Sequence, residues 1–134
     1  MKLPTAGLLI IENRKLLLAY SRNKQSFYLP GGKIDAGETA TQALCREIAE
    51  EMNIAIHENE LNYYTHITAF AYGEEHGTIM EQDCFFFYRN ITPEASSEIT
   101  ELRYFSFSDY HSETNRAPGV LMILQKLKAE DYID

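Results

Sequence analysis

Arg46-Glu47-Ile48-Ala49-Glu50-Glu51 sets three carboxylates and a guanidinium close together. On a helix, residues three and four apart share a face. Glu47, Glu50 and Glu51 are therefore expected to point one way, opposite the stripe of Ala40, Leu44 and Ile48. Like charges at that spacing repel, so the group calls for a cation. Arg46 supplies one. A hard divalent ion is the other candidate, because Mg²⁺ favours carboxylate oxygens and fills its remaining positions with water and substrate phosphates. The plain alternative is a solvated acidic face. Gly31-Gly32 lies shortly before these residues and lets backbone approach a phosphate closely, with amides free to donate. Lys33 stands beside the glycines, and Arg22 and Lys24 a little upstream, as candidate partners for phosphate oxygens.

The elements that position these residues are legible in outline. Ala6–Ile11 and Leu16–Tyr20 are apolar runs around the polar Glu12-Asn13-Arg14-Lys15, which predicts a hairpin, although leucine runs also suit a helix. Pro30-Gly31-Gly32 predicts an irregular loop continuing through Asp35-Ala36-Gly37-Glu38. Thr39 and Gln42 form a capping-box pattern, so a helix should begin near Ala40 and run to Met52. Asn53 suits its left-handed stop. Tyr63–Tyr72, Asp83–Arg89 and Leu102–Phe107 predict strands, with Gly73–Gly77 a turn between the first two. Pro118–Ala129 predicts a closing helix that buries Val120, Leu121, Leu124 and Leu127. The sum is an α+β domain of mostly antiparallel strands and two helices.

Composition narrows the field. The chain of 134 residues is one domain's worth, 45% hydrophobic, and is expected to fold as a single unit over residues 1–134. Its net charge of −8 argues against duplex nucleic acid, which is held mainly by Lys and Arg neutralising phosphates. An acidic protein that handles phosphates needs metal ions between itself and its ligand. No apolar run approaches a membrane span and no leader is visible at Met1-Lys2-Leu3-Pro4, so a cytoplasmic location is expected. Cys45 and Cys84 are read as two reduced thiols. His57, His66, His76 and His111 follow no ligand spacing, and no Ser or Cys pairs with a His and an acid for covalent catalysis.

Gly32, Glu38, Arg46-Glu47-Ile48, Glu50-Glu51 and Ile54 closely resemble the Nudix box, the signature of hydrolases acting on nucleoside diphosphates linked to another group. Asn53 stands where the pattern usually has Gly, and all the carboxylates are kept. The Leu29-Pro30-Gly31-Gly32 lead-in is similar too. The resemblance implies a Nudix fold, a mixed β-sheet sandwiched between α-helices (α/β/α), and a MutT-like hydrolase requiring Mg²⁺ or Mn²⁺. It implies that Glu47, Glu50 and Glu51 ligate the metal, with the Gly31 carbonyl as a further ligand. Glu38 and Arg46 would join the loop to the acidic helix. One acid would deprotonate the attacking water, from the box or from a later loop, where Glu98 is preferred to Glu101.

Substrate recognition is less legible. Gly32, Lys33 and Arg22 are candidates for the phosphates. Phe27, Tyr28, Phe70, Tyr72, Phe85 and Phe87 are candidates for stacking a base, Phe27 and Tyr72 being preferred, and Asn115 for reading its edge. The expected partner is a small nucleotide, with no nucleic-acid duplex and no membrane, and the protein a monomer or homodimer. A nucleoside triphosphate giving monophosphate and pyrophosphate leads. Dinucleoside polyphosphates and nucleoside diphosphate sugars follow, and a nucleotide sensor without turnover is the alternative from another class.

Overall fold

Leu16-Leu17-Leu18 folds as a strand with both faces covered. In the computed structural model, which describes residues Met1 to Asp134, Leu16 and Leu18 enter one hydrophobic cluster and Leu17 another. That alternation is the two-residue period of a strand and decides between the two readings of the leucine run. Phe85 and Phe86 part in the same way, into opposite clusters.

Eight strands form two four-stranded sheets. In the first, β5 (Gly31–Lys33), β1 (Lys2–Leu9), β7 (Ile79–Phe86) and β6 (Asn62–Phe70) lie in that order. β1 runs parallel to β7, and the other pairs are antiparallel. In the second, β3 (Lys15–Ser21) is central, pairing with β2 (Ile11–Glu12), β4 (Ser26–Tyr28) and β8 (Ile99–Phe105). The expected mixed β-sheet is the first of these two sheets. The expected hairpin survives only at its tip, where Ile11 and Glu12 pair with Leu16 and Lys15. Asn13 and Arg14 both have positive φ, as a tight primed turn requires. Upstream of that turn β1 leaves for the other sheet.

Three α-helices complete the chain: α1 (Ala40–Met52), α2 (Phe107–His111) and α3 (Pro118–Ala129). α1 covers Ala6, Leu8, Leu17 and Phe85 with Leu44, Ile48 and Met52. α3 lies on the other cluster with Val120, Ile123, Leu124 and Leu127 against Leu9, Leu16, Leu18 and Ile67. Helices therefore flank the sheets, giving the α/β/α layering. Ile123 takes the place expected for Leu121, which is only partly buried. The short α2 was not anticipated, although Ser106 and Asp109 form a capping box there. Strands β4 and β5 are not legible in the sequence, β5 falling in what reads as loop, because three residues each cannot display a period. No helix is long and apolar enough to cross a membrane.

The ends of α1 follow its sequence. The Thr39 hydroxyl accepts from the Gln42 N–H at 3.2 Å, and the Gln42 side chain accepts from the Thr39 N–H at 3.0 Å. Asn53 closes the helix with φ 55° and ψ 41°, the left-handed region that favours Gly and then Asn. Replacing Asn53 with Ala should cost about 1 kcal/mol of stability in urea unfolding, because Ala keeps the Cβ but lacks the short polar side chain that lets Asn adopt the left-handed conformation cheaply. Asn53→Gly should be neutral or slightly stabilising. Equal losses in the two variants would show that the side chain of Asn53, and not its backbone angle, matters.

Candidate active site

One hydrogen bond ties the start of strand β5 to the last turn of helix α1. The Gly31 N–H donates to Glu51 Oε1 at 2.9 Å. Gly31 has φ +137°, and a Cβ there would lie 2.0 Å from the Ala6 carbonyl oxygen. A Cβ at Gly32 would lie 2.6 Å from the Glu47 carboxylate. Both glycines are therefore fixed by close approach, Gly31 to backbone and Gly32 to an acid.

The three glutamates do not share a face opposite the core stripe. Glu51 follows Leu44 by seven residues, close to two helical turns, and so lies in line with it. It is 7% exposed. From there the acids fan outward through half-buried Glu47 to Glu50, whose side chain is 53% exposed. The expectation failed because spacings of three and four relate the glutamates to one another but not to the stripe.

Arg46 gathers the loop onto the helix. Its Nε and Nη2 donate to the two Glu38 carboxylate oxygens, both at 2.8 Å, and its Nη1 to Glu47 Oε1 at 2.8 Å. Nη2 also donates to the Lys33 carbonyl at 3.1 Å. Asp35 and Glu50 stand 3.3 and 3.6 Å from the guanidinium. The paired Arg46 and the Asp35 N–H hold the Glu38 carboxyl down to about 2. Glu51 is the reverse: burial pushes it up to about 8 against the Gly31 hydrogen bond, with help from Glu47, Glu98 and Glu50. Glu47 is also raised, chiefly by burial, which outweighs its bond to Arg46.

Glu98, just before strand β8, stands near enough for its charge to help raise both Glu47 and Glu51. Its Oε2 accepts from the Ser21 hydroxyl and the Asn23 amide, each at 3.1 Å. Its carbonyl accepts from the Arg22 N–H at 3.0 Å, which places exposed Arg22 beside it. As the side chains stand, no three His, Cys, Asp or Glu form a group that would hold a metal ion. Glu47 is turned onto Arg46 and Glu51 onto Gly31. In kind, however, the donors fit a hard divalent cation. They are carboxylate oxygens whose mutual repulsion and burial leave positive charge wanting. Gly31 meets this set through its N–H.

The substrate candidates are dispersed. Phe27 is 3% exposed and packs edge-on against Tyr20 and Phe105, so it belongs to the core and is closed to a base. Phe85 and Phe87 are core residues as well, and Phe70 is exposed. Tyr28 and Tyr72 face each other with ring centroids 6.3 Å apart, the Tyr28 hydroxyl donating to the Tyr72 carbonyl at 3.0 Å. Asn115 spends its amide on the Gln25 carbonyl at 2.8 Å, which makes it a turn clasp. Lys33 and Lys24 both turn to Glu74, at 3.6 and 3.0 Å. Glu74 and Asp35 went unremarked in the sequence, and only the second, so close to the box, carries a local signal. Cys45 and Cys84 are free thiols.

The comparisons with known proteins agree with this geometry. The pattern of the NUDIX domain matches residues 1–125. A U8 snoRNA-decapping enzyme of Homalodisca vitripennis is 30% identical over 104 residues, 78% of this chain and 52% of that one. An 8-oxo-dGTP diphosphatase of Haemophilus influenzae is 57% identical over 37 residues, 28% of this chain and 27% of that one. The chain thus matches about half the length of the first and about a quarter of the second. Among solved structures, a MutT protein from Methanosarcina mazei superposes with a TM-score of 0.78 at 17% identity, covering 97% of this chain and 95% of that one. A MutT NUDIX hydrolase from Burkholderia pseudomallei superposes with a TM-score of 0.76 at 20% identity, covering 95% and 98%. These two likenesses concern the fold. With the domain pattern running from Met1 to Gln125 and its acidic box seated on α1, the chain belongs to the NUDIX family.

Proposed function

We propose that this protein is a metal-dependent pyrophosphohydrolase whose substrate is a nucleoside triphosphate, cleaved to monophosphate and pyrophosphate. One observation carries the reading. Arg46 clamps Glu38 and Glu47, while Gly31 holds Glu51, so that an intact set of box carboxylates stands against a glycine strand. A protein that only bound nucleotides would have no use for keeping every acid in place. The 37-residue match to an 8-oxo-dGTP diphosphatase supports a triphosphate over dinucleoside polyphosphates and nucleotide sugars.

Each residue then has a task. Glu47, Glu50 and Glu51 would hold Mg²⁺ or Mn²⁺. When bound, such an ion neutralises phosphate oxygens and acidifies water. Arg46 keeps Glu47 oriented and fixes the Glu38 loop to the helix. Glu98 takes the proton from the attacking water. Two neutral donors hold its Oε2, while Oε1 remains free to accept. Lys33 and Arg22 meet phosphate oxygens once the substrate is in place. In a chain of net charge −8, binding a polyphosphate depends on these cations and the metal together.

Resolving the products by phosphorus NMR, over a panel of nucleoside triphosphates, dinucleoside polyphosphates and nucleotide sugars with Mg²⁺, tests the substrate. Monophosphate and pyrophosphate should appear with the triphosphates; binding without release would favour a sensor. Glu50→Gln and Glu98→Gln should each lower kcat by about 10²–10⁴, the range for losing an acid–base group. Full activity in both would refute the placement.

The raised Glu51 carboxyl gives a second test, free of turnover. Its folded pKa of about 8 exceeds the ordinary 4.5, so its contribution to stability is whole below 4.5 and is lost as the pH rises through 8. In EDTA, Tm should fall across that window, and Mg²⁺ should restore much of it at the alkaline end. Glu51→Gln should flatten the profile and weaken the response to Mg²⁺. Raised Glu47 and His66 titrate in the same direction but are present in both proteins, so the difference between the two profiles reports Glu51. Superimposable profiles would show that Glu51 is not the group that binding relieves.

A further inference from the structure

One row of side chains away from the acids holds a buried hydroxyl with nothing to bond and a carboxamide with only a weak partner. The strand registers set Lys33, Thr5, Gln82 and Ile67 side by side across β5, β1, β7 and β6. Neighbours in such a row share a face. Here it is the face toward the α3 cluster, which holds Ile67. Thr5 is 6% exposed, and its Oγ1 is the one buried side-chain nitrogen or oxygen without a hydrogen-bond partner. Gln82 is 8% exposed, and the polar neighbour of its carboxamide is the Cys84 thiol at 4.0 Å, too weak a donor to satisfy it. Buried polar groups left unpaired cost stability, and their survival in a fold asks for a reason.

The row adjoins the acidic corner. Gly7 pairs with Gly31, the residue bonded to Glu51, and a Cβ on Gly7 would lie 3.1 Å from Gln82 Nε2. Leu29, at 2.8 Å, and the carboxamide together fill the space that Gly7 leaves open, one step along the strand from the glycine loop. The β6–β7 connection passes over the same row, because Glu74 reaches Lys33. It also carries Tyr72 against Tyr28.

We infer that Thr5 and Gln82 read the polar edge of the substrate's nucleobase, beneath the connection that Glu74 ties down. This rests on the nucleotide reading above and deepens it. A carboxamide presents a donor and an acceptor side by side, which matches adjacent donor and acceptor atoms on a base edge. The threonine hydroxyl adds a group that gives or takes. Both are neutral, so the part of the ligand that meets them is neutral as well. Its phosphates belong with Lys33 and the metal-binding acids. Entry of the base exchanges the Glu74 contacts for those of the ligand.

The test compares the parent protein with Thr5→Val, which keeps the shape and removes the unmet hydroxyl, and with Gln82→Leu. Over a panel of nucleoside triphosphates, both variants should lose about tenfold of the preference between the best and poorest base. The change should fall on KM, with kcat nearly constant. Thr5→Val should melt no lower than the parent. In calorimetry without metal, the preferred nucleoside monophosphate should bind each variant about tenfold more weakly, while ribose 5-phosphate binds all three alike. A Thr5→Val protein that melts lower and keeps the parent's preference overturns the inference, as does an equal loss of ribose 5-phosphate. If no nucleotide is hydrolysed but the monophosphate titrations behave as stated, the pyrophosphohydrolase reading fails and the base site stands. If hydrolysis proceeds with unaltered preference in both variants, the base site alone fails.

Discussion

The Gly31 N–H that donates to Glu51 governs how helix α1 sits on the sheets. It is the Glu51 carboxyl's one hydrogen bond in a nearly dry position, and it joins a three-residue strand to the last turn of a helix. Burial of this kind raises the acid's own pKa. The cost is bearable because Leu44, Ile48 and Met52 on the same helix are fully buried against the sheets. Apolar packing stabilises the helix, and the helix then holds an acid where solvent would not.

Arg46 distributes charge where Glu51 concentrates it. One planar guanidinium meets Glu38 at both oxygens, Glu47 at one and the Lys33 carbonyl. A lysine has no such fork. The loop from Asp35 to Glu38 is thereby made part of the site, although it contributes no core residue. On the other side, Glu74 bonds both Lys24 and Lys33. The cations nearest the glycine strand are thus already engaged. Under the function proposed above, an incoming phosphate would compete with an internal carboxylate, which would favour polyanions over single charges.

Glycine acts here by absence. Gly31 and Gly32 leave room for the Ala6 carbonyl and the Glu47 carboxylate, and Gly7 for Leu29 and the Gln82 carboxamide. All three lie at the joint between β1 and β5, two of them paired with each other. The acidic corner and the Thr5–Gln82 row, with its unpartnered Thr5 hydroxyl, are therefore two sides of one thinned patch of sheet.

The sequence by itself determined the ends of α1, the closing helix and the box. Caps, proline and i, i+4 spacing act within a few residues and need no partner from elsewhere. The Thr39–Gln42 box and the left-handed Asn53 are legible for that reason. It did not determine that Glu51 would be buried, that Phe27 would be lost to the core, or that Leu16–Leu18 would have both faces covered. Nor did it show that β1 would leave its hairpin to run parallel with β7, seventy residues and more away. Only the tertiary structure decided these, because burial and strand pairing depend on which surfaces arrive opposite each other. Glu98 beside Ser21 and Glu74 between two lysines are of the same kind. A carboxylate's neighbours across space set its charge, its freedom and its chemistry, and one-dimensional spacing does not carry that information.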